Sequence, residues 1–296
     1  MTTAAQKNAQ RNRGTLFVEA GELVNIESFP GEQYIMRIRA PLCAAAARPG
    51  SFVHISCDDS LPMRRPLSIM RVSGDCIDIL YKIVGEGLRL LSARQPGASI
   101  SVLGPIGMPF QADSERPNCL LLGGGVGIPP MVFLADSLRN NPSWQPLAIL
   151  GSEIPFPFEL QASSLATPWA DDTITSSMPL LERWGVPSRL TSLSGFAGCY
   201  RGYVTDLAEL WLQSLAATEL TKTQLFACGP TVMLEAVAAL AERHDLPCQV
   251  SLEEFMACGV GGCAGCAVEI TTPDGPAMQR VCVDGPVFEA ASVVWR

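Results

Sequence analysis

The sequence predicts a multidomain β + α/β chain: an antiparallel β-barrel, then a parallel-sheet nucleotide-binding α/β domain, then a small C-terminal domain built around cysteines. Three observations predict it. Up to Gly104 the chain runs in short alternating apolar segments separated by Gly/Pro turns. From Pro117 apolar runs alternate with helical patterns, the signature of parallel strands joined by helices. From about Glu253 onward, four of the eleven cysteines crowd into a stretch too short to bury a core of its own.

The elements follow in order. Residues 1–13 are polar and lack an apolar signal-peptide core, which predicts a flexible tail. The barrel, residues 14–112, draws its strands from TLFVEA, QYIMRIRA, SFVHISC, PLSIMRV, CIDILYKIV and ASISVLG; only Gly87–Ala93 looks helical. The α/β domain, residues 113–250, begins with the strand NCLLL, the loop GGGVGIPP and the helix MVFLADSLRN. PLAILG is a second strand. VTDLAELWLQSL is a helix with Thr205 or Asp206 as N-cap. TQLFAC is a strand leading through Gly229-Pro230 into TVMLEAVAALAERH, and CQVSLEE closes the domain. Residues 251–296 form the small third domain.

Composition narrows the function classes. The chain has 296 residues, 48% hydrophobic and 17% charged, with a net charge of −8. An acidic chain without a Lys/Arg stripe is a poor ligand for nucleic acid or anionic membranes. The longest apolar stretch, Cys119–Ala135, is broken by Gly123–Gly125, Gly127 and Pro129-Pro130, so no membrane span is expected and the protein is expected to be cytoplasmic. Eleven cysteines in a reducing compartment read as free thiols plus a metal or redox site. Seven are scattered and read as small core residues.

The other four are spaced Cys258-x4-Cys263-x2-Cys266-x15-Cys282, the plant-type [2Fe-2S] arrangement. Gly259, Gly261, Gly262 and Gly265 lie among them, letting the backbone curl and point N–H groups at sulfur. A four-cysteine zinc site is the alternative, although zinc pairs usually come as C-x2-C twice.

Two further motifs concern nucleotides. Gly123, Gly124, Gly125 and Gly127 follow a strand and open a helix, where N–H groups and the positive helix end suit a pyrophosphate. The spacing is not the Rossmann G-x-G-x-x-G, because Ile128 falls at the third glycine. Glu153, just after the second strand, is placed to accept from an adenosine ribose hydroxyl, which favours NAD over NADP. In the barrel, Arg65-Pro66-Leu67-Ser68 begins a strand, with Leu80-Tyr81-Lys82 and Gly87-Leu88 downstream.

These motifs, in this order and with the ending CVDGPVF, resemble the electron-transfer subunits of two-subunit dihydroorotate dehydrogenases, within the ferredoxin reductase superfamily. The resemblance covers about residues 15–290. It implies that Arg65 pairs with FAD phosphates, with Pro66, Leu67 and Ser68 near the isoalloxazine. It also implies that Leu80, Tyr81, Lys82, Gly87 and Leu88 form the second FAD segment. Leu67 replaces the superfamily's Tyr, and Leu88 stands where a hydroxyl residue is usual. GGxGxxP and Cys228-Gly229-Pro230 resemble the nicotinamide elements, which implies that Cys228 is the catalytic residue, beside the nicotinamide ring and guiding hydride transfer between nicotinamide C4 and flavin N5. The implied activity is a relay from the FMN of a catalytic partner subunit, in a heterotetramer, through [2Fe-2S] and FAD to NAD in pyrimidine biosynthesis. The same architecture also serves sulfhydrogenases and NADH-dependent ferredoxin:NADP oxidoreductases. His54 and His244, the two histidines, have no motif around them.

Overall fold

The computed structural model describes residues 16–295; the predicted tail, residues 1–13, lies outside them. The chain divides into two compact units. One holds the N-terminal part up to Pro109, Ser251–Phe288 and the C-terminal residues from Ser292; the other holds Phe110–Val250 and Glu289–Ala291. The cysteine segment thus packs in one unit with the barrel. A stretch this short buries too little apolar surface to stand alone.

In the first unit β1 (Phe17–Phe29), β2 (Gln33–Arg39), β3 (Phe52–Ile55), β4 (Arg65–Ser73), β5 (Cys76–Lys82) and β6 (Ser99–Ile106) close a barrel in the order β1-β2-β5-β4-β3-β6. All pairings are antiparallel. Leu23, Met36, Ile38, Ile55, Ile69, Ile77, Ile79 and Ile100 fill the core, as period-2 alternation requires. Strand β1 runs well past its predicted end at Ala20. Gly21 passes Ile38 closely and the register slips between Leu23 and Asn25, so one strand bends to serve two partners. The buried Asp78 carboxylate ties three strands together, meeting Arg37 Nε at 2.7 Å and Arg71 Nη2 at 2.6 Å.

The second unit carries β7 (Asn118–Gly124), β8 (Gln145–Gly151), a small hairpin of β9 (Gln161–Ala162) and β10 (Ser176–Ser177), β11 (Ser188–Thr191), β12 (Thr223–Cys228) and β13 (Cys248–Ser251). The sheet order is β11-β8-β7-β12-β13, with the short segment Val287–Glu289 beyond β13. β11, β8, β7 and β12 pair in parallel. Strand order therefore reverses between β7 and β12, and open α/β sheets bind ligands at the carboxyl end of such a switch point. Helices Ile128–Leu138, Val204–Ser214 and Thr231–Arg243 form where helical periodicity predicts them. The N-cap of the second is Tyr203, not Thr205 or Asp206. Asp206 sits three residues in, and its Oδ2 accepts the Tyr203 N–H at 2.8 Å, the reciprocal half of a capping box. β11 escaped the sequence reading because Arg189 and two hydroxyl residues interrupt its apolar pattern, yet all four residues are buried.

Candidate functional site

The cysteine segment shows how spacing becomes geometry. β14 (Ala267–Thr272) and β15 (Gly275–Arg280) form an antiparallel hairpin in which Ala267 faces Arg280. Cys266 precedes the hairpin and Cys282 follows it, so the fifteen intervening residues return the chain to its start. The two sulfurs are 3.4 Å apart and buried. Cys258 and Cys263 form the other pair, on the glycine-rich turn. The Val260 N–H approaches Cys258 Sγ at 3.5 Å, and the Gly265 N–H approaches Cys263 Sγ at 3.4 Å.

Electrostatics separate the two pairs. Burial pushes the Cys258 thiol up, but the N–H groups of Val260, Cys263 and Gly262 outweigh it and bring the thiol down to about 7. Burial and the neighbouring Cys266 push Cys282 up to about 12. Metal coordination reverses such a rise, because iron holds a coordinating thiol deprotonated. Among the described residues no three His, Cys, Asp or Glu side chains gather tightly enough to hold a single metal ion. The close Cys266–Cys282 pair and the N–H groups aimed at Cys258 and Cys263 fit the [2Fe-2S] cluster that the spacing predicts. The Arg280 guanidinium, which the spacing did not flag, donates to the Gly261 carbonyl at 2.9 Å and pins the turn to the hairpin.

The barrel residues predicted to hold flavin separate into two groups. Arg65 is half-buried at the start of β4, and a Cβ on Gly87 would lie 3.1 Å from its Nε and Nη2. The guanidinium therefore lies against the N-terminal turn of the helix Glu86–Ser92. A cation at the positive end of a helix is unfavourable alone and favourable with an anion between them, which is the fit a pyrophosphate requires. Pro66 faces His54 and Ser68 faces Phe52 across the β3–β4 ladder, so these four share one side of the barrel wall. Most of the other group points into packing. Leu67 is opposite Val53 and buried, and Leu80 and Leu88 are also buried. Tyr81 stacks on Tyr34 with centroids 5.6 Å apart, and its hydroxyl has no hydrogen-bond partner among the described residues. Lys82 is exposed.

At the switch point, Cys228 lies directly beside Gly123 in the β12–β7 register. Gly127 is indispensable by contact: a Cβ there would overlap the Cys228 carbonyl. Gly125 has φ +55°, turning the chain into the helix Ile128–Leu138, whose first N–H groups have no side-chain cap. These features fit a bound pyrophosphate. Met233 was not anticipated. It packs over the crevice, where a Cβ on Gly124 or Gly229 would meet its sulfur. Glu153 is exposed two residues beyond β8, its carbonyl held by Ser194 Oγ at 2.8 Å. A cavity of about 380 Å³ at the opposite end of the strands is lined by Trp144, Trp169, Trp184 and Trp211 and contains none of the predicted site residues.

Comparison with known proteins follows the same lines. Residues 253–294 match the iron-sulfur cluster binding domain of dihydroorotate dehydrogenase B. The electron transfer subunit of dihydroorotate dehydrogenase B (NAD(+)) from Desulforamulus reducens is 31% identical over 267 residues, 88% of this chain and 92% of that one. Its counterpart from Geobacillus thermodenitrificans is 34% identical over 271 residues, with the same coverage of 88% and 92%. Among solved structures, an NADH-dependent reduced ferredoxin-NADP oxidoreductase aligns with TM-score 0.75 and 26% identity over 94% of this chain and 90% of its own. The ferredoxin reductase of carbazole 1,9a-dioxygenase, 18% identical with TM-score 0.58 over 78% of this chain and 67% of its own, shares the fold. By identity and coverage, this chain belongs to the family of dihydroorotate dehydrogenase B (NAD(+)) electron transfer subunits.

Proposed function

We propose that this chain is the electron-transfer subunit of a cytoplasmic heterotetramer with an FMN-containing dihydroorotate dehydrogenase subunit, and that it delivers electrons to NAD+ in pyrimidine biosynthesis. The observation that carries the reading is the four-cysteine cradle within a segment matching the cluster-binding domain. Oxidation of dihydroorotate to orotate releases two electrons and two protons; NAD+ takes both electrons and one proton. A flavin supplies the conversion between one- and two-electron steps that this relay needs, while a cluster carries electrons singly.

The chain's own residues bind, orient and shield. Cys258, Cys263, Cys266 and Cys282 would hold the cluster, and the turn's N–H groups would compensate thiolate charge. Arg65 and the N–H groups at Gly87 and Leu88 take the flavin phosphates. Pro66, Ser68 and Lys82 would shape the rest of that site, with Leu67, Leu80 and Tyr81 supporting it from the packed barrel wall. Gly123, Gly124, Gly125 and Gly127 cradle the dinucleotide pyrophosphate, and Cys228 sits beside the nicotinamide. Residues 14–112, 113–250 and 251–296 are the corresponding functional segments. Phe255, three residues before Cys258 and 94% exposed, offers an aromatic anchor to the catalytic subunit.

Anaerobic co-purification tests the reading. The expected result is an FMN protein that oxidises dihydroorotate and reduces NAD+ only when this chain is present. Recovery of a hydrogenase or a ferredoxin instead would favour the second reading, a reductase component of another complex, which the 94% structural overlap with the ferredoxin-NADP oxidoreductase supports. Two side-chain tests accompany it. Arg65→Ala removes a bidentate, charge-assisted contact worth about 3 kcal/mol, so FAD should bind about 100-fold more weakly, read as flavin per protein after gel filtration. Glu153→Gln should narrow the preference for NADH over NADPH by about tenfold, mainly through KM; an unchanged ratio removes Glu153 from the site.

A further inference from the structure

We infer that His54 is a positioning residue for the cluster, its imidazole fastening the backbone that carries Cys258 to the barrel wall that carries Pro66 and Ser68. This rests on the cluster assignment proposed above. His54 lies in β3, is 0% exposed, and pairs in register with Pro66 on one side and Leu103 on the other. The cysteine turn closes over it. Gly259 has φ +67°, and a Cβ there would stand 2.7 Å from His54 Nδ1. The backbone of Met256 and Cys258 lies beside the ring from the cluster loop, and that of Arg64 from just ahead of β4. Arg64 Nη1 closes the other side, donating to the His54 carbonyl at 3.1 Å.

The chemistry of the ring is what carries the inference. Both ring nitrogens are sealed from water without a well-formed hydrogen bond. Imidazole always bears at least one N–H, and an unmatched buried donor is costly. A position that served packing alone would be better filled by leucine. An imidazole earns its place if a loop carbonyl takes that N–H when the turn tightens around its cluster. Partners behind a ligand orient it and are nearly as important as the ligand itself. Here the partner also joins the cluster loop to the strand of Arg65–Ser68, so one side chain sets the relation between the two redox sites.

The test uses the full chain, purified anaerobically, as His54→Leu and His54→Gln. Iron and sulfide per FAD, the EPR spectrum of the reduced cluster and its midpoint potential are read. The expected result is full FAD content in both variants. His54→Leu should retain about tenfold less cluster, with altered g-values and a shifted potential. His54→Gln, which keeps an N–H donor, should recover most of the wild-type signal. A His54→Leu cluster with unchanged spectrum, potential and retention overturns the proposal. So does joint loss of FAD and of the circular-dichroism signal in both variants, because that marks a core residue. A wild-type chain with no cluster signal overturns the cluster assignment, and the proposal with it.

Discussion

Cys282→Ser is expected to strip the cluster from the protein while leaving the flavin bound. Cys282 is buried 3.4 Å from Cys266, brought there by the β14–β15 hairpin. Serine keeps the volume and removes the thiolate, and a buried hydroxyl does not ionise to replace it. The cluster would then keep only three of its four thiolate ligands. Changes in the outer shell of a metal site cost about 10–100-fold, and loss of a ligand should reach at least the upper end. The visible cluster bands should vanish and dihydroorotate-dependent NAD+ reduction should fall about 100-fold or more. NADH oxidation by a two-electron dye, which bypasses the cluster, should stay within about twofold. Equal loss of both activities would show that the cysteines support the whole fold rather than one station of a relay. Stoichiometric zinc in the wild-type protein would overturn the cluster assignment directly.

Gly127→Ala should weaken productive nucleotide binding about 100-fold without touching flavin or cluster. The added Cβ would collide with the Cys228 carbonyl and would stand 2.5 Å from the Gly229 nitrogen, all backbone atoms that cannot swing aside. Overpacking of this kind costs about 1–3 kcal/mol, and here the strain displaces Cys228 and the glycine loop together. A shift of about 1 Å at a reacting centre costs about 100-fold in rate, so kcat/KM for NADH should drop by about that factor. Gly125→Ala is the informative contrast. Nothing lies within 4 Å of its Cβ, but φ is +55°, so it meets only backbone strain of about 1–2 kcal/mol. It should lower nucleotide affinity less than Gly127→Ala does. Flavin content and the cluster spectrum, whose proposed residues lie in the other unit, should match wild type in both variants; loss of either would mean global unfolding.

The readable part of this protein is the part written in local chemistry. Alternating runs marked the barrel strands, and helical periodicity after apolar runs marked the parallel sheet, because burial on one face imposes period 2 or 3.6 on the residues themselves. The cysteine spacing announced its cradle, since a fifteen-residue return is what one hairpin spans. GGGVGIPP and CGP were legible as motifs, yet their adjacency was not. Gly123 and Cys228 are neighbours only because β7 and β12 pair where the strand order reverses.

Five residues show what sequence could not supply. Met233 over the crevice and Arg280 on the cysteine turn carry no motif, and only their contacts mark them. Leu67 and Leu88 read as departures at a flavin site, but both are buried, so packing accounts for their side chains. His54 is the sharpest case. With no motif around it, it is given meaning only by a loop about two hundred residues later in the chain that folds back onto β3. The sequence by itself determined most of the elements and the four cysteines, because each depends on residues near one another in the chain, and the order of its motifs pointed to the cofactor classes. The tertiary structure alone decided which motifs meet, which glycines admit no Cβ and which buried polar atoms lack partners, because those depend on close packing between segments distant in sequence.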